Sequence, residues 1–184
     1  MAEETPSEHV PPGVDASRPS PARLYDYYLG GSHNLAVDRE LGDRFRAAVP
    51  DLEDGVWANR AFHQRAAVWL ADQARVRQFI DIGSGLPTRD NTHDVVHKVA
   101  PRAHVVYVDH DPMVAAYASE LLTGDGTTAV VTADLRDPDT VLNDPAVREL
   151  IDFTEYVGVW GAEDPVAADS DGARGLYCGV ARKH

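Results

Sequence analysis

At 184 residues the chain is long enough for one domain with a sizeable core and short for two. Its 30 acidic residues against 17 Lys and Arg give a formal charge of −13, which repels a phosphate backbone, and no basic cluster overrides it, so nucleic acid is not an expected partner. A single cysteine, Cys178, leaves no internal disulfide to form, no apolar run is long enough for a bilayer, and Met1-Ala2-Glu3-Glu4 lacks the regions of a signal peptide; the expectation is a cytoplasmic protein without a membrane partner.

Residues 1–20 carry Pro6, Pro11, Pro12 and Pro19 among acids and little apolar content, the composition of a disordered tail. Ser20-Pro21 reads as a helix cap followed by proline at the first helical position, opening a helix that runs to Gly30-Gly31. Leu41, Phe45 and Val49 recur at spacings of four and suggest a second helix, stopped by Pro50. Phe62, Ala66, Trp69 and Leu70 form the i, i+4, i+7, i+8 stripe of a third helix packed on an apolar surface. Trp57, Trp69 and Trp160 are most simply core or lid residues.

Beyond residue 76 the period changes to a βαβ pattern. Gln78–Ile82, His104–Val108 and Thr128–Thr132 are short, β-branched segments suited to burial on both faces. Val95, Val96 and Val99 mark the helix between the first two, and Val114, Ala118, Leu121 and Leu122 mark the next. Crossover helices between like strands imply a parallel, right-handed arrangement. The fold class expected is α/β: a Rossmann-like, doubly wound, mostly parallel sheet.

The first strand ends in Asp81 and opens into Gly83-Ser84-Gly85, where bare backbone admits an adenosine-type ligand at the sheet's carboxyl edge. The third glycine of the dinucleotide fingerprint is replaced by Thr88, which argues against a nicotinamide or flavin. Asp109 closes the second strand, where a carboxylate accepts both ribose hydroxyls of a nucleoside. Asp134 closes the third, placed to accept from an exocyclic adenine amine while the amide of Leu135 donates to the ring. Each of Asp109, Asp111, Asp134 and Asp137 has an alternative role as a cap of the helices opening at Pro112 and Pro138.

Five motifs together resemble the actinobacterial S-adenosylmethionine-dependent methyltransferases long catalogued as a domain of unknown function, which have a seven-stranded doubly wound fold. They are Ala22-Arg23-Leu24-Tyr25-Asp26-Tyr27-Tyr28-Leu29-Gly30-Gly31, Ala58-Asn59-Arg60-Ala61-Phe62, Asp81 to Thr88, Val106-Tyr107-Val108-Asp109 and Ala133 to Pro138, in the family's order over residues 20–151. The resemblance implies S-adenosyl-L-methionine as cofactor and a small-molecule methyl acceptor. It places Asp81, Gly83 and Gly85 on the methionine and ribose side, Asp109 on the ribose, and Asp134 with Leu135 on the adenine. Ser84 and His110, beside these, complete the expected cofactor set. It also implies that the amino-terminal helices form a lid over residues 21–75, with Arg23, Tyr28 and Asn34 as further candidates; 76–151 then hold three βα units.

The chain departs from that family after residue 151. Pro138 to Ile151 reads as helix with an internal cap at Asp144-Pro145, and Phe153 to Trp160 and Gly175 to Ala181 read as strands, the closing antiparallel hairpin over 152–184. The family's fourth and fifth strands and their helices are missing between them, roughly 60 to 90 residues at about 30 per βα unit. An internal deletion joined near Ile151 to Thr154 is the expectation, with an exposed strand edge along Thr128–Thr132, association into a homo-oligomer, and doubtful turnover. An inactive cofactor-binding remnant and, less readily, an NAD-dependent oxidoreductase are the alternatives.

Other signals are weaker. His93-Asp94-Val95-Val96-His97 sets two imidazoles one helical turn apart, but with Asp in place of the zinc peptidase Glu and no third ligand in view, no metal is expected. Cys178 reads as a small buried hydrophobe. His33 and Tyr28 are the candidates for a general base, with ordinary loop and lid positions favoured, so no catalytic residue is assigned.

Overall fold

The computed structural model describes residues 10–88, 90–122, 126–162 and 176–181. Helices α1 (Pro21–Tyr28), α2 (Ala36–Ala48) and α3 (Leu52–Asp72) precede β1 (Gln78–Ile82), α4 (Thr92–His97), β2 (His104–Asp109), α5 (Pro112–Leu121) and β3 (Thr128–Thr132). The chain continues through α6 (Pro138–Asn143), α7 (Pro145–Leu150), β4 (Val157–Ala162) and β5 (Leu176–Ala181). One sheet of order β3-β2-β1-β4-β5 results, its first four strands parallel and β5 antiparallel to β4.

Alternation along the strands divides the core into two layers. Phe79, Val105, Tyr107 and Trp160 pack with Ala67, Leu70 and Ala71 of α3 and Val95 and Val96 of α4. On the opposite face Ile80, Val106, Val108 and Val131 pack with Val141 of α6 and Val147 of α7. The connection from β3 back across the sheet to β4 reverses the direction of winding, so the order changes between β1 and β4, the point at which open α/β sheets leave a crevice at their carboxyl edge.

The strand following the α6–α7 pair is where the structure corrects the sequence reading. Val157–Ala162 does pair antiparallel with β5, as the hairpin expectation has it, but it also lies directly beside β1 and parallel to it, with Ile80 opposite Val159 and Asp81 opposite Trp160. The sheet therefore closes without a gap. Gly158 makes this approach feasible, because a Cβ there would stand 2.5 Å from the Phe79 ring. The strand also begins later than expected: Asp152 accepts from the amide and hydroxyl of Thr154 at 2.9 and 2.7 Å, folding 152–155 into a turn.

The helical stripes shift as well. On α3 the buried set is His63, Ala67, Leu70 and Ala71, whereas Phe62, Trp69 and Trp57 are exposed. Small Ala67 and Ala71 let the helix sit close to the sheet, which the larger aromatic face would prevent. Phe45 of α2 and Val49, its C-cap, are likewise exposed, because the inward face of the helix carries Asp38, the partner of Arg23, and Gly42. Ser20 occupies the cap position of α1 without a side-chain cap bond; its amide donates to Asp38 Oδ1 at 2.9 Å instead. Of the expected tail, 1–9 lies outside the described residues, while Val14 packs near Leu86, Met113 and Tyr117.

Candidate cofactor site

Gly83 and Gly85 both adopt left-handed backbone, φ 67° and 64°, the region that disfavours any side chain. The turn they make is tied to the end of β2. The amides of Gly83 and Ser84 donate to the Val108 carbonyl at 2.8 and 3.3 Å, and the Gly85 amide donates to Asp109 Oδ2 at 2.9 Å. Asp109 Oδ1 accepts from the Asp111 amide at 2.9 Å. Each carboxylate oxygen retains acceptor capacity after these bonds.

The capping alternative divides the four aspartates cleanly. Asp111 caps α5 through the Met113 amide and Asp137 caps α6 through the Thr140 amide. Asp109 and Asp134 cap neither helix. They stand on adjacent strand ends, with Asp109 opposite Thr132 in the β2–β3 ladder and the Ala133 amide donating to the Asp109 carbonyl at 3.0 Å. Asp134 is held by the Arg136 guanidinium and amide, at 3.0 and 2.8 Å to Oδ1, which draw its pKa down to about 2. Leu135 is half exposed beside it, and the exposed His110 ring lies 3.6 Å from Asp109 Oδ1.

On the other side of the glycine turn, Arg60, Asp81, Ser84, Gly85, Asn91 and Thr92 line a narrow cleft with about 10 Å³ of free space, room for about one water. Ser84 Oγ is buried there with no hydrogen-bond partner among the described residues. Asp81 is buried, and its Oδ2 accepts from Thr92 Oγ1 at 2.5 Å. Arg60, from the middle of α3, reaches Thr88 Oγ1 and the Asp90 carbonyl, both at 3.1 Å. A guanidinium and a carboxylate thus share one cleft, an arrangement suited to an amino acid carrying both charges. Arg60, His63 and Thr92 were not singled out as site residues in the sequence; the Ala58–Phe62 motif was the only hint of the first.

The residues expected to belong to a lid have structural partners. Arg23 is fully buried, with Nε 2.7 Å from Asp38 Oδ2 and a nitrogen 3.0 Å from Met113 Sδ. The Tyr28 hydroxyl donates to the Gly42 carbonyl at 3.3 Å, and Asn34 donates to Asp26 Oδ2 and to the Gly31 carbonyl. His33 packs edge-on against Tyr117 with ring centroids 5.8 Å apart. The histidines of α4 are engaged rather than solvated: His93 Nδ1 lies 2.6 Å from the Tyr107 hydroxyl and His97 Nε2 lies 2.8 Å from the Ala103 carbonyl. Cys178 stands opposite Trp160 in the β4–β5 ladder.

Among the described residues no helix is long and apolar enough to cross a membrane. No curated protein matches the sequence. A crystal structure of a Thermobifida fusca YX protein assigned as a methyltransferase superposes with a TM-score of 0.78 at 47% identity, covering 83% of this chain. A DUF574 family protein from Streptomyces avermitilis MA-4680 gives 0.74 at 40% identity over 79%. This chain spans 57% and 56% of the lengths of those two proteins. The family whose sequence pattern matches residues 7–162 is described as S-adenosyl methyltransferase, a family that takes S-adenosylmethionine as cofactor. With that match and those relatives, the chain belongs to the S-adenosyl methyltransferase family.

Proposed function

We propose that this chain binds S-adenosylmethionine along the carboxyl edge of β1, β2 and β3. The observation that carries the reading is the Gly85 amide bonded to Asp109 Oδ2, which sets a left-handed glycine turn directly against the acid at the end of β2. Asp109 accepts from the ribose hydroxyls, and Gly83, Ser84 and Gly85 let the ligand approach bare backbone. Asp134, Leu135 and His110 lie along the open edge where the adenine extends, Asp134 turning from Arg136 to the exocyclic amine. The cleft itself offers only about 10 Å³, room for about one water, so it receives no more than the tip of the amino-acid end. There Asp81 faces the ammonium group and Arg60 the carboxylate.

When bound, the cofactor supplies a methyl group already activated by its sulfonium. The chain's residues then have to orient an acceptor in line and keep water out. The acceptor side follows β4 in this fold, and here the next described strand after β4 is the antiparallel β5. We infer a cofactor-binding protein with weak or absent transfer to a small-molecule acceptor. Titration calorimetry with S-adenosylmethionine, S-adenosylhomocysteine and NAD tests the reading; tighter binding of NAD sinks it. Self-association is a second proposal, resting on the outer edge of β3 and the exposed Phe62 and Trp69, and sedimentation velocity decides it.

A further inference from the structure

Asp81 does not stand alone at the bottom of the cleft. Thr92, the first residue of α4, and His63, from the buried face of α3, converge on it and are themselves buried. The Thr92 hydroxyl gives its one proton to Asp81 Oδ2 at 2.5 Å. His63 Nε2 lies 3.2 Å from the same hydroxyl oxygen, which has only lone pairs left, so the imidazole donates and carries its proton on Nε2. The direct distance from His63 Nε2 to Asp81 Oδ2 is 3.9 Å, too long for a hydrogen bond.

Aromatic packing fixes the far end of this chain of bonds. The His63 ring lies edge-on to Trp160 with centroids 5.1 Å apart, and Trp160 stacks on Phe79 at 5.9 Å. Trp160 is also the β4 residue directly opposite Asp81. Burial pushes the His63 pKa below the usual imidazole value in spite of the nearby carboxylate, which keeps the ring neutral. Asp81 is thus held through Oδ2, while no described residue hydrogen-bonds to Oδ1. A buried carboxylate with one oxygen held and the other facing a cleft is disposed toward a cationic donor.

We propose that Thr92 and His63 are positioning residues that orient Asp81 toward the ammonium group of the cofactor's amino-acid end, an inference that rests on the cofactor reading above. The relay touches only that end of the ligand. It therefore governs S-adenosylhomocysteine, which carries the ammonium group, and not 5′-methylthioadenosine, which lacks the amino acid but keeps the nucleoside.

The test is calorimetric titration of the full chain and its variants with both compounds. Thr92→Val keeps the volume and removes the hydroxyl; affinity for S-adenosylhomocysteine should fall by on the order of tenfold while that for 5′-methylthioadenosine holds. Thr92→Ser restores the hydroxyl and should restore the affinity. His63→Gln, which keeps an N–H donor, should discriminate between the ligands better than His63→Leu. Because the readout is a ratio within each variant, general loosening of the fold cancels. An unchanged ratio in Thr92→Val, with the unaltered chain binding both compounds, overturns the relay and leaves the cofactor reading standing. Failure of the unaltered chain to bind either compound overturns both.

Discussion

Gly85 and Asp109 are joined by a hydrogen bond of 2.9 Å from loop amide to carboxylate, so the acid expected to hold a ribose also holds the glycine turn in place. Loop geometry and the proposed ligand recognition therefore depend on one side chain. Asp109→Ala removes the acceptor for the Gly85 and Asp111 amides together with the proposed ribose contact. Hydrogen bonds to a charged group contribute about 1.5 to 3 kcal/mol each, and water replaces part of them, so affinity for S-adenosylhomocysteine should drop roughly tenfold to a hundredfold. Calorimetry measures it. Unchanged affinity would reduce Asp109 to an anchor of the loop.

Two glycines on β4 give a matched test of the strand's place beside β1. A Cβ at Gly158 would meet the Phe79 ring at 2.5 and 2.7 Å, whereas one at Gly161 would meet nothing within 4 Å. Phe79 is buried and stacked on Trp160, which limits its retreat. Gly158→Ala should destabilise the fold by about 1 to 3 kcal/mol, the usual cost of overpacking, and Gly161→Ala should be close to neutral. Urea unfolding of both variants decides the matter; equal effects would contradict the β1–β4 contact.

Asp26 makes stability depend on pH. Its carboxylate is buried, with Oδ2 accepting from the His33 amide and from Asn34 at 2.9 Å, and with Oδ1 making no hydrogen bond among the described residues and lying 4.0 Å from His33 Nδ1. Burial raises its pKa above the ordinary 3.8, outweighing the hydrogen bond from Asn34 and the proximity of His33, with Asp38 adding to the rise. The folded chain then holds this proton to higher pH than the unfolded chain. Its stabilising contribution is complete below 3.8 and is lost as pH rises through the raised folded value. Asp26→Asn, which cannot ionise, should flatten the dependence in urea unfolding carried from acid to neutral pH. A slope identical to that of the unaltered chain would refute this account.

What the sequence discloses depends on how local the cause is. The glycine turn, Asp109 and Asp134 are set by strand ends and short-range backbone geometry, and they were visible as motifs. The caps Asp111 and Asp137 were visible too, although only the side-chain bonds to Met113 and Thr140 separate them from Asp109 and Asp134. Arg60, His63 and Thr92 meet Asp81 only once α3 and α4 lie on the same face of the sheet, so no spacing along the chain announces them. The misplaced stripe on α3 has a related origin. Phe62, Ala66 and Trp69 obey helical periodicity as well as His63, Ala67 and Leu70 do, and hydrophobicity favours the first set. Packing density favours the second, because alanines allow helix and sheet to approach. Strand partnership is less local still: nothing within Val157–Ala162 states that its neighbour is β1.

That neighbour bears directly on turnover. The proposed cofactor contacts come from the ends of β1, β2 and β3, with β1 and β2 tied together by the bonds of Gly83, Ser84 and Gly85. An acceptor must be held in line with the transferred methyl by walls on the β4 side, where β4 leads to β5 and the chain spans 57% of the length of its Thermobifida fusca relative. A displacement of about 1 Å at the reacting atoms already costs around a hundredfold in rate. Binding and transfer should therefore separate: S-adenosylhomocysteine binds, while its release from S-adenosylmethionine in the presence of a panel of phenols, amines and carboxylic acids stays at least about a hundredfold below that of the Thermobifida fusca protein assayed alongside. Turnover equal to that control would mean that β4, β5 and the amino-terminal helices already build a complete acceptor pocket.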